Sequence, residues 1–169
     1  MKPLIKKING ITPQFGKDCY LSENTTIIGD VLCGDRCSFW FNSVIRGDVH
    51  FIKIGNEVNI QDGAIVHCTY KKSPTIIGNQ VTVGHNAIVH GCTIKDRVLI
   101  GMGAIVLDNC IIESDSIVAA GAVLTMGTHV KSGEIFAGVP AKKVKEGNFK
   151  KQLLALASKY VDYSKWYED

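Results

Sequence analysis

Val81-Thr82-Val83-Gly84-His85-Asn86-Ala87-Ile88-Val89-His90-Gly91 carries two aliphatic residues, Val83 and Val89, six places apart, with a small residue, Ala87, four places after the first. Neither a helix nor a hairpin meander has that period. Toward the N-terminus the beat continues through Ile77 and, after a break, through Val66, Ile60 and Ile54. After a second break it runs back through Ile45, Phe39, Cys33, Ile27, Leu21 and Phe15. Toward the C-terminus, after a one-residue deletion, it runs through Ile94, Ile100, Val106, Ile112, Val118, Leu124, Val130 and Phe136.

Hexapeptide repeats belong to parallel β-helices. Each hexad is a short strand and a turn, and three hexads close one triangular coil. The lead aliphatic points inward and stacks on its counterpart about 4.8 Å along the axis. The small or β-branched residue at the fourth place, as at Cys37, Val58, Ala64 and Ala104, fits the corner. Glycine after the lead residue, at Gly16, Gly55, Gly78, Gly84 and Gly101, is expected to supply turn geometry. The expected class is all-β: a parallel β-helix over residues 1–140, with loops near 46–53 and 68–75 where the beat breaks. The segment 141–169 is expected to hold a C-terminal helix over Glu146–Val161 and an aromatic tail with Tyr163, Trp166 and Tyr167, packing on the β-helix.

Composition narrows the function classes. The 169 residues are 46% apolar and 21% charged, with a net charge of +3. No basic stripe interleaved with aromatics points to nucleic acid. No apolar run reaches the roughly 18 residues of a membrane span. The start, Met1-Lys2-Pro3-Leu4-Ile5, has no apolar signal region, and the six cysteines form no Cys-x-x-Cys pair. A cytoplasmic protein with reduced thiols is expected.

The register then places three of the five histidines. His67 and His90 each follow a lead residue, Val66 and Val89, by one place, and those leads are three hexads apart, one full coil. The two imidazoles therefore share a face and are placed to share one ion at about 2.0–2.1 Å from each nitrogen. His85 belongs to the preceding hexad and so to an adjacent face. A neighbouring subunit in a threefold ring would bring it to the pair. The expectation is a homotrimer with a divalent metal at each interface, held by His67, His85 and His90. His50 and His129 read as surface residues; Cys68 and Cys92 read as packed thiols or as soft ligands.

The segments Val44-Ile45-Arg46-Gly47-Asp48-Val49, Asn59-Ile60-Gln61-Asp62-Gly63, Val66-His67 and Gly84-His85-x4-His90-Gly91 resemble the γ-class carbonic anhydrases and their close bacterial relatives. With the hexad pattern and the terminal helix, the resemblance covers nearly the whole chain. It implies a left-handed β-helix and a trimer, with the residues matching His67 and His90 from one subunit and that matching His85 from its neighbour. It implies catalytic roles for Arg46, Asp48, Gln61, Asp62 and Tyr160, and a buttressing role for Asn59. Register also stacks Asp62 one coil from His85, and sets Arg46 on a face that should meet Asp62 across the interface.

The implied activity is reversible hydration of carbon dioxide to bicarbonate with Zn2+, or alternatively Fe2+ or Co2+. The chain departs from the prototype in one respect. Val49 stands where prototype enzymes carry an acidic residue for proton transfer, and the loop 68–74 carries Lys71 and Lys72 without a carboxylate. The alternatives are a hexapeptide acyltransferase or CoA-thioester hydrolase, which would use a histidine as general base without metal, and a non-catalytic metal-binding scaffold.

Overall fold

The structure is a computed structural model that describes residues 2–167. Its strands, most of two or three residues, pair in parallel with strands one coil away. Three columns of inward side chains result. One runs Ile27, Ile45, Val66, Val89, Val106, Leu124. A second runs Cys33, Ile54, Ile77, Ile94, Ile112, Val130. The third runs Leu21, Phe39, Ile60, Val83, Ile100, Val118, Phe136. Apart from the partly buried ends Leu21 and Phe136, these side chains are buried in a single core. The fold is a parallel β-solenoid, and the six-residue beat is its cause: every lead residue must land in one of three stacks.

Residues 46–53, expected as a loop, are strand. Val44–Ile54 is continuous. Its first residues pair with Ile65–His67 and its last with Thr75–Ile77, so it turns a corner and joins two faces into one sheet of eleven strands. The extra residues are absorbed as a bulge against Thr26–Cys33: Gly29 pairs with Gly47, but Val31 pairs with Ile52. A bulge of this kind re-aims the side chains it carries, and here it carries Asp48. The backbones meet so closely that a Cβ on Gly29 would lie 2.4 Å from the Gly47 carbonyl oxygen. The second break does form a tight loop, closed by the Thr69–Ser73 bridge.

The glycines after the lead residues serve close approach rather than turn geometry. None of the five has a left-handed φ. At Gly101, instead, a Cβ would lie 2.4 Å from the Ala120 nitrogen of the next coil. Left-handed corners are held largely by other residues, such as Asn42, Asn86 and Asn109.

The C-terminal segment also differs from expectation. Ala141–Glu146 is a strand, antiparallel to Glu134–Gly138, and covers the edge of the eight-stranded sheet. A covered edge no longer offers unpaired backbone groups. The helix starts at Lys150, after Gly147 and Asn148, and ends at Ser164. It buries Leu153, Ala157 and Ser164 and packs on Ser38–Phe39 and Asn59–Ile60, so it returns along the solenoid toward the first coils. Leu154, next to the buried Leu153, is exposed. The aromatic tail continues as a short turn over Lys165–Tyr167, with the Tyr167 ring against Tyr20, Trp40 and Phe41. The end of the expected tail, Glu168 and Asp169, lies outside the described residues. Among the described residues, no helix is long and apolar enough to cross a membrane.

Candidate metal centre

The expected site residues fall into two groups on two faces. The first group lies on the eleven-stranded sheet. His67 and His90 are register partners on adjacent strands, and their Nδ1 and Nε2 atoms lie 3.1 Å apart. The far nitrogen of each ring meets a carboxylate. His67 Nε2 donates to Asp48 Oδ1 at 3.1 Å, and His90 Nδ1 donates to Asp108 Oδ1 at 2.5 Å. Arg46 holds Asp48 in turn, with its guanidinium 2.6 Å from Oδ2, and the Thr69 hydroxyl donates to Asp108 Oδ2.

Electrostatics fix the protonation states. Burial raises the Asp48 carboxyl, but hydrogen bonds from Arg46 and His67 outweigh it and leave the group below the usual carboxylate range. Asp108 follows the same pattern, with Thr69 and His90 as its donors. Both are therefore ionised at neutral pH and can only accept, so the protons sit on the outer imidazole nitrogens. Burial, against the pull of Asp48, lowers the His67 ring below its ordinary value, so it is neutral. The lone pair on His67 Nδ1 therefore faces His90 Nε2 across 3.1 Å.

The second group lies on the eight-stranded face. His85 Nδ1 is 2.8 Å from Asp62 Oδ2 on the coil before, as the register required. Asn59 donates to Thr82 Oγ1 at 2.9 Å, and Gln61 Nε2 donates to Asn59 Oδ1 at 3.0 Å. This chain of amides is buried. Gln61, His85 and Tyr160 line a cleft of about 390 Å³ whose other walls include Met102, Ala119 and Leu156. Burial, then the Asp62 charge, raises the Tyr160 hydroxyl above its usual value.

The two groups do not meet within one chain: among the described residues the three histidines do not gather around one point. Arg46 pairs inside its own chain with Asp48, and Asp62 with His85. Two site residues escape the sequence reading. Asp108 had a usable signal, since it lies two places after Val106, the register partner of Val89, and so borders His90 on the next coil. Thr69 belongs to the loop that interrupts the hexads, where register gives no position.

The family described as bacterial transferase hexapeptide (six repeats) matches residues 91–125. Gamma carbonic anhydrase 2, mitochondrial, of Arabidopsis thaliana is 41% identical over 136 residues, covering 78% of this chain and 49% of that protein. The chain thus spans about half the length of that plant relative. A carbonic anhydrase of Geobacillus kaustophilus is 37% identical over 167 residues, covering 98% of this chain and 91% of the relative. Among solved structures, a hexapeptide transferase family protein from Anaplasma phagocytophilum superposes with a TM-score of 0.93 at 38% identity over 99% of each chain. The chain belongs to the γ-class carbonic anhydrase-like family of hexapeptide-repeat proteins.

Proposed function

We propose that this protein hydrates carbon dioxide reversibly to bicarbonate, as a homotrimer with a site at each interface. His67 and His90 of one chain and His85 of the next would hold a divalent metal, zinc or alternatively iron(II) or cobalt(II), since three imidazoles suit each. The observation that carries the reading is the pair of facing ring nitrogens on His67 and His90, 3.1 Å apart, with both outer nitrogens tied to carboxylates. Two imidazole nitrogens so placed would share one cation. Carboxylates behind ligating histidines are the usual arrangement at such sites.

When bound, the metal lowers the pKa of a water to about 7 and so supplies hydroxide at neutral pH. The chain's own residues do the rest. Asp48, Asp62 and Asp108 hold the three rings in place, and Arg46 and Thr69 hold two of those carboxylates. Asn59 engages one end of the Gln61 amide, which leaves the carbonyl end free to orient the nucleophile. The largely apolar walls of the cleft suit an apolar substrate. Each turnover must also export a proton. Asp48 also lines a separate cavity of about 250 Å³, whose wall offers His50 and Lys71.

Stopped-flow hydration of carbon dioxide by metal-reconstituted protein tests the proposal. The expected result is a rate far above that of His90→Ala; equal rates overturn it. A second reading, an acyltransferase or CoA-thioester hydrolase, is favoured by the name of the Anaplasma phagocytophilum relative. It requires no metal at the histidines, so elemental analysis of the protein beside its His67→Ala/His90→Ala variant separates the two, with about one divalent ion per chain lost in the variant favouring hydration. A metal-binding scaffold would hold the ion and turn over nothing.

A further inference from the structure

Two columns of the solenoid change chemistry at the same end. The inward column that passes from Phe15 through Cys33 is aliphatic in every later coil: Ile54, Ile77, Ile94, Ile112 and Val130. The corner residues that precede the paired Tyr20, Ser38, Asn59, Thr82 and Leu99 are Cys19, Cys37, Val58, Val81 and Val98. Sulfur thus replaces isoleucine and valine only at the first coils, and in both columns. The chain passes from Cys33 to Cys37 around one corner, so the columns' thiols meet. The Sγ atoms of Cys19, Cys33 and Cys37 all lie within 4.8 Å of one another. Cys33 and Cys37 are 3% and 1% exposed, whereas Cys19 is only partly covered. Cys92 and Cys110 stack at another corner, but among the described residues only the first-coil trio makes a three-donor group.

We propose that Cys19, Cys33 and Cys37 form a second metal site, separate from the histidines, that takes a thiophilic d10 cation. A trigonal ion with bonds of about 2.3 Å needs sulfurs about 4.0 Å apart, within reach of the observed spacing after small rotamer shifts. Thiolates select Cu(I) and Zn(II). The donor set is three, with no His, Asp or Glu completing a fourth among the described residues. That favours Cu(I), which is content with three sulfurs, over Zn(II), which would need a water on the open Cys19 side.

The three thiols donate to backbone carbonyls, Cys19 and Cys33 to Gly34 at 3.2 and 3.4 Å and Cys37 to Gly55 at 3.1 Å. They give up those protons as the ion enters. The Val58 N–H, 3.4 Å from the Cys37 sulfur, remains as a donor to that thiolate. Cys19 adjoins the edge strand Tyr20–Leu21, and Cys37 adjoins its neighbour Ser38–Phe39. The ion would clamp the first coil to the second.

The test uses the full chain, reduced and anaerobic, as a His67→Ala/His90→Ala double variant, so that the histidine site takes no part. Cu(I) is titrated against a chromophoric chelator, and Zn(II) in parallel. About one ion per chain is expected, with a sulfur-to-metal charge-transfer band and a raised Tm, and with Cu(I) the tighter. Adding Cys19→Ser should weaken binding more than about 100-fold, beyond the 10–100-fold typical of outer-shell changes. Cys37→Val, which installs the corner residue of the following three coils, keeps the fold and should do the same. Failure of both cations to bind the double variant, or uptake undiminished by Cys19→Ser and Cys37→Val, overturns the proposal.

Discussion

His67 Nδ1 and His90 Nε2 face each other at 3.1 Å, and the opposite nitrogen of each ring is held by a carboxylate from another coil, Asp48 behind the first and Asp108 behind the second. The solenoid creates this arrangement by stacking: identical register puts the rings one above the other, and the flanking coils supply the acids. Each carboxylate fixes a tautomer and raises the basicity of the nitrogen that faces the partner ring. Asp108→Asn keeps the shape and removes the charge. It should weaken metal affinity about 10–100-fold with the fold intact, measured by competition with a chelator. An unchanged affinity would show that the acid behind His90 has no part in the site.

A glycine pair separates backbone strain from site geometry. Gly91 and Gly103 both have a left-handed φ, +55° and +64°. A Cβ at Gly103 meets open space, whereas at Gly91 it would lie 2.5 Å from Asp108 Oδ1 and 2.9 Å from the Ser73 Cβ. Gly103→Ala should therefore cost only the left-handed backbone penalty, about 1–2 kcal/mol. Gly91→Ala should cost more, and should also displace Asp108 from His90 and lower metal retention. Urea unfolding and chelator competition on the two variants check both parts; equal losses would mean that Asp108 simply moves aside.

Much of this was legible before any coordinates, for a physical reason. A six-residue period leaves almost no freedom: once the lead residues stack, the face and coil of each histidine follow by counting. That is why the pairing of His67 with His90, and of Asp62 with His85, could be read directly. Counting fails where the period breaks. Residues 46–53 stay in the ladder because a bulge absorbs them, and Asp48 is aimed at His67 from that bulge, which no register could give. The strand Ala141–Glu146 was hidden differently. Its pairing is antiparallel and its side chains after Ala141 are exposed, so it carries no inward stripe.

The closing hairpin gives a pH prediction. Glu134 Oε2 accepts the Lys131 N–H at 2.8 Å, and Oε1 lies 3.0 Å from Lys143 Nζ. Burial raises this carboxyl, but those donors outweigh it and hold the group below its ordinary value of 4.5. The unfolded chain thus takes up the proton at a higher pH than the folded one. The stabilisation is full above the ordinary value and disappears as pH falls through the lower, folded one. Glu134→Gln should be less stable than the parent at pH 7, with the gap closing in acid. Thermal midpoints over that range decide it; a gap independent of pH would assign the difference to packing.

Two half-sites on different faces make a sharper prediction, because the proposed ring of identical chains would have to use both. In that ring His85→Ala and His90→Ala each remove one side of every interface, so each variant alone should lose the histidine-held metal and the hydration rate. Co-assembly of the two in equal amounts changes that. An interface is intact where the chain giving His85 is the His90→Ala variant and its neighbour, giving His67 and His90, is the His85→Ala variant. Each condition holds half of the time, so about a quarter of the sites return in a closed ring. Bound metal and hydration rate should both recover to about that fraction, and the recovery should require refolding or co-expression, since mixing finished trimers exchanges nothing. A site built within one chain would give no recovery at any mixing ratio, because every chain would still lack a ligand.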